Sequence, residues 1–205
     1  SFYEALRTYL LTASQSYLTP KKFGKKISLM IHPAREVAMH EVWGSAISQE
    51  MDDWKSIINM SGSKAFMETH REDFLSSYKG LKETNKTEIS SFDELFDLVP
   101  KVIKMLIVTT LNADNTNVNS KRKVSWKSSK FHILIGGDLL DRGFVVKGLV
   151  TTYMPRSAGV GNSDTIQQRG RFYGYKKDHI GFIRTWLSQD TERAFKSYAN
   201  TEKDL

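Results

Sequence analysis

Residues 131–155 read FHILIGGDLLDRGFVVKGLVTTYMP. A β-rich run, FHILIGG (131–137), ends in a glycine pair, and a second, LVTTYMP (149–155), follows after a short link. Such β-rich runs suit strands, and a nearly continuous apolar one such as ISLMIH suits a strand buried on both faces. Outward from this stretch, KMLIVTTLN (104–112) and ISLMIH (27–32) are two more such runs, and HIGFIRTW (179–186) reads as a final strand. Between them the apolar spacing is helical. Phe2, Leu6, Tyr9, Leu10, Ala13 and Tyr17 share one face of an opening helix that Pro20 ends. Pro33 marks the expected start of a long helix running to Met60, and residues 61–100 are helical around a polar turn. A helix is expected over 163–173, and TERAFKSYANTEKDL (191–205) closes the chain as another. Strands interleaved with helices predict an α/β fold with an open, mostly parallel sheet flanked by helices.

The 205 residues fit one domain. The first two strands lie much further apart in sequence than one crossover needs, so residues 55–100 read as a helical insertion within the α/β unit. The opening helix begins at once, and the chain is read as a piece of a longer protein. With 40% hydrophobic and 26% charged residues, the composition excludes wholesale disorder and fibrous structure. Zero cysteines exclude disulfides, thiolate metal sites and a cysteine nucleophile. No apolar run has the length of a membrane span, so no membrane partner is expected.

Thirty basic against 23 acidic residues give a net charge of +7, which hints at an anionic partner. The charge is unevenly spread. Acids outnumber bases from 48 to 99, whereas from 101 to 130 Asp114 is the only acid against seven lysines and arginines. That basic stretch includes Lys121, Arg122, Lys123, Trp126 and Lys127 between two strands. In open α/β sheets the loops at the carboxyl ends of strands form the ligand crevice. A basic loop with an aromatic residue there suits phosphate contact and base stacking; the alternative is a solvated loop whose Trp126 folds back on the core.

The densest chemistry follows the glycine pair. Asp138, Asp141, Arg142 and Gly143 sit where a buried strand opens, and two glycines let a backbone approach a ligand closely. Further on, DTIQQRGRFYGY (164–175) places Gln167, Gln168, Arg169 and Arg171 within about a turn and a half of helix. Guanidinium forks at that density suit phosphate oxygens; a network of salt bridges is the structural alternative.

Together these blocks resemble motifs V and VI of superfamily two helicases, found in the second RecA-like domain of the motor. Asp138, Arg142 and Gly143 fall in register with motif V, Gln167, Gly170 and Arg171 match the first part of motif VI, and ISLMIHPAR looks like motif IV. A closer resemblance is to the Z-one domain family, which carries an endonuclease label and occurs beside superfamily two helicase modules in bacterial proteins. Its two blocks stand here as GGDLLDRG and GRFYGY, linked by TTYMPR. Where the helicase pattern has a second arginine this chain has Gly174, with Lys176 two residues on, and Val145 replaces the Asp that many helicases carry after motif V.

The resemblance implies a RecA-like helicase C-terminal domain that supplies half of an ATP site closed by an N-terminal RecA-like domain. Arg171, with Arg169 or Lys176, would neutralise phosphate charge, and Asp138, Arg142, Gly143, Gln167 and Gly170 would bind the nucleotide. Magnesium would accompany ATP in the full-length protein, DNA would be the polymer, with RNA left open, and the setting would be the cytoplasm. No Walker motif G-x-x-x-x-G-K-[ST] and no Asp-Glu pair ending an apolar strand is present, so this chain alone is expected to show no NTPase activity.

The alternatives are a nucleic-acid-binding module of a degenerate motor and a metal-dependent endonuclease. The latter lacks a Glu-x-Lys partner for Asp138 and Asp141. No metal site is expected: His40 and His70 read as surface residues without a second ligand, and His32 as structural. Trp43, Trp54, Met39 and Met51 read as a core stripe.

Overall fold

The computed structural model describes residues 1–85, 88–111, 124–137, 140, 145–156 and 177–203. The chain opens with α1 (Phe2–Leu18), whose N-terminus is closed by a reciprocal Ser1–Glu4 capping box, and a short α2 (Pro20–Phe23). Strand β1 (Ile27–Ile31) follows, then α3 (Val37–Met60), α4 (Gly62–Thr84) and α5 (Phe92–Met105) in succession. The remaining strands are β2 (Ile107–Leu111), β3 (Phe131–Gly136), β4 (Leu149–Met154) and β5 (Arg184–Leu187), and α6 (Gln189–Lys203) ends the described chain.

The five strands form one all-parallel open sheet in the order β2-β3-β1-β4-β5. The expected α/β, RecA-like architecture is therefore present. Every residue of β1 is buried, Ser28 included, as expected of a nearly continuous apolar run in a central strand covered on both faces. Ile27, Leu29, Ile31, Phe131, Ile133 and Ile135 point to one face, where they join α1, α3, α4 and α5 in a single large core. Met30, Leu134, Leu149 and Met154 point to the other, where Leu187 and Phe195 of α6 pack. A register shift between Ser28 and Leu29 in the β1–β4 pairing makes Val150 the extra residue, which puts Val150 on the first face and Leu149 on the second.

The helices over 55–100 are bonded into that first core. Phe66, Phe74 and Leu81 of α4 and Leu95, Phe96 and Val99 of α5 are buried in the same cluster as Leu6 and Leu10 of α1. Arg7 of α1 reaches across to Asp73 of α4 at 3.2 Å. The buried Tyr9 hydroxyl contacts the carbonyls of Ile27 and His132 at 3.3 and 3.1 Å and so ties α1 to two strands.

Three local expectations shift. The long helix starts at Val37, not at Pro33, because His32 N–H still pairs with Tyr153 O at 2.9 Å and Glu36 remains extended. The last strand is limited to 184–187, since 3-10 turns occupy Lys177–Phe182 and seat Phe182 against Phe23. Met39 is 39% exposed and leaves the stripe that Trp54 and Met51 do form. The helix expected over 163–173 lies outside the described residues.

Candidate functional site

Strand order locates the crevice. From β1 the chain moves to β2 at one edge of the sheet, whereas from its neighbours β3 and β4 it moves toward the opposite edge. Connections that leave adjacent strands in opposite directions open a cleft at the carboxyl ends, and here that point is β1. Strands β2, β3 and β4 lead from this edge into 112–123, 138–144 and 157–176 respectively.

Most of the expected site residues belong to these segments. Lys121, Arg122, Lys123, Asp138, Arg142, Gly143, Gln167, Arg169, Gly170, Arg171 and Lys176 lie outside the described residues, as does Asp141.

His32, His40 and Arg156 are polar side chains described at this edge. His32 follows β1 and is fully buried; His40 of α3 is 2% exposed, with Nε2 3.0 Å from Ala34 O, so its expected surface position is corrected. Arg156 follows β4. Its carbonyl accepts hydrogen bonds from Ser188 Oγ and Thr191 Oγ1, both at 3.0 Å, at the start of α6, and its Nε and Nη1 are shielded from solvent. This half-buried arginine, two residues past β4, is one that the motif reading quoted within TTYMPR without giving it a role. Its signal was its place directly after the TTYMP strand.

The glycine pair has a packing reason. A side chain at Gly136 would meet Leu111 O at 2.7 Å, and one at Gly137 would meet the His40 ring at 2.6 Å. The expected close approach is therefore made, at these two atoms, by the protein itself. Among the described residues no group of three or more histidine and acidic side chains is arranged to hold a metal ion.

Trp126 and Lys127 sit at the other edge of the sheet. They lead into β3, so the structure places them at the amino ends of the strands and not in the carboxyl-end crevice where the sequence reading put them. Trp126 is half-buried against the second core and meets the His132 ring edge-on, with centroids 4.9 Å apart. Lys147, which leads into β4, holds its ammonium 5.8 Å from the Trp126 ring centre. Val124, Ser125, Trp126, Lys127 and Lys147 line a cavity of about 440 Å³.

Beneath it, His132 is fully buried, with Nε2 3.0 Å from Ser129 O and no hydrogen-bond partner at Nδ1. A carbonyl accepts only, so the proton sits on Nε2. Burial pulls the His132 pKa down, assisted by the nearby Lys26 charge and opposed by the Ser129 hydrogen bond. Burial likewise lowers that of Lys130, whose ammonium donates to Ser16 O at 2.7 Å.

No helix among the described residues is long and apolar enough to cross a membrane. No curated protein and no solved structure is significantly similar to the chain. The family model of the Z1 domain, the Z-one family of the motifs above, matches residues 1–205, and the chain belongs to that family.

Proposed function

We propose that this chain is the C-terminal RecA-like half of a superfamily two helicase or translocase that acts on DNA in the cytoplasm. The observation that carries the reading is the all-parallel sheet with its switch point at β1, whose carboxyl edge runs into the two arginine-bearing motif segments. An N-terminal RecA-like domain of the same protein supplies the other wall of the nucleotide site and the ligands for magnesium. ATP hydrolysis supplies the free energy for movement.

In this reading Arg171, with Arg169 or Lys176, neutralises charge on the phosphoryl group, and Gln167 and Gly170 bind the nucleotide. Asp138, Arg142 and Gly143 couple cleft closure to strand binding, while Arg156 stiffens the cleft wall from the end of β4. The basic run Lys121–Arg122–Lys123, with Trp126 and Lys127, contacts the nucleic acid.

The test is NTP hydrolysis by the intact protein with Arg171→Ala. A fall of about 10³-fold or more is expected of an arginine that stabilises the transferred phosphoryl group. Unchanged turnover in the variant would overturn the role given to Arg171, and an intact wild-type protein without NTP hydrolysis would favour the binding module of a degenerate motor, the alternative that Gly174 at the second arginine position supports.

A further inference from the structure

In a parallel sheet every strand begins at the same edge, so whatever precedes the strands is gathered there. Lys25 and Lys26 precede β1, Lys104 ends α5 before β2, Lys127 and Lys130 precede β3, and Lys147 precedes β4. The lead-in residues 24–26, 124–130 and 145–148 contain no Asp or Glu. Lys104 complements the negative end of α5, which accounts for it without any ligand. Among the described lead-in lysines, Lys130 meets a helix end as well, the last turn of α1. Two of them are structural, since Lys26 and Lys130 donate to Ser129 O and Ser16 O at 2.5 and 2.7 Å. Lys25, Lys127 and Lys147 are exposed.

The last two flank Trp126 in the cavity of about 440 Å³. The indole is held from below by His132 and the second core, so its orientation is fixed before any ligand arrives. Three further cations, Lys121, Arg122 and Lys123, immediately precede Val124 of the same cavity in sequence.

We propose that this amino-terminal edge binds single-stranded nucleic acid, with one base stacked on Trp126 and the flanking phosphates held by Lys127 and Lys147. The proposal rests on the nucleic-acid part of the reading above and is independent of its motor part, because it lies at the opposite edge of the sheet from the arginine motifs. Lysines alone would suit any polyanion. A fixed aromatic in a recess between them selects a polymer with unpaired bases, since bases in a duplex are already stacked on one another. An acidic protein surface would use the same lysines and leave the exposed part of the indole unused.

The experiment measures fluorescence anisotropy of labelled oligothymidylate and of a duplex with the intact protein, without NTP, so that a protein unable to hydrolyse NTP still reports on this face. Trp126→Ala is expected to weaken oligothymidylate binding by about 5- to 150-fold. Trp126→Phe should retain most of the affinity, which separates stacking from misfolding. Lys127→Glu with Lys147→Glu should weaken binding and lower its salt dependence. Wild-type affinity in Trp126→Ala, duplex bound as tightly as the single strand, or preference for polyglutamate over the oligonucleotide would each overturn the proposal.

Discussion

At the residue scale the carboxyl edge is shaped by one contact, Gly137 against the His40 imidazole. An alanine methyl would lie 2.6 Å from the ring carbon, and the ring is itself held by Ala34 O. Gly137→Ala should therefore cost about 1–3 kcal/mol in urea unfolding, and His40→Ala in the same chain should recover much of that loss. Additive costs would show that the two do not touch. His132 and His70 make a second prediction, of pH dependence. Burial lowers both pKa values below the ordinary 6.5, so the unfolded chain binds protons there that the native chain does not. Their contribution is complete above about pH 6.5 and is lost as pH falls below that toward the folded values. Urea midpoints at pH 7.5 and 5.5 should differ in that direction, and His132→Gln should reduce the difference. The glycine pair was legible in the sequence, but its cause was not, because a short residue looks the same whether it clears a ligand or an imidazole from another element.

At the element scale, α4 and α5 share one cluster with α1 and the sheet through Phe66, Phe74 and Phe96. Phe74→Ala should cost about 3–5 kcal/mol and leave one cooperative transition. Two separate transitions in calorimetry would mean that these helices form an independent unit. The α5 N-terminus carries a Ser91–Glu94 capping box, in which the Ser91 hydrogen bonds pull the Glu94 pKa down. Ser91→Ala should accordingly cost about 0.5–2 kcal/mol. Helix and strand periods were readable because they are local. The start of α3 was not, because a tertiary hydrogen bond from His32 to Tyr153 keeps the chain extended past Pro33. The side of the sheet on which Trp126 falls was equally hidden: the run that carries it leaves one edge and arrives at the other, and residue order alone does not say where along that path the ring lies.

At the scale of the whole molecule, the proposed function gives the two ends of the parallel sheet different work. The carboxyl edge leads into the arginine motifs assigned to the nucleotide, and the amino edge gathers lysines around Trp126. The net charge of +7 is in part a property of that second edge. The proposed motor assignment starts from the parallel sheet, and the half-site it implies depends on Arg171. The most direct measurement is the rate of ATP hydrolysis by the intact protein, stimulated by single-stranded DNA, for wild type and for Arg171→Ala at equal folding stability. The account predicts turnover in the wild type and its loss, by about 10³-fold or more, in the variant. Equal rates in the two proteins would contradict it.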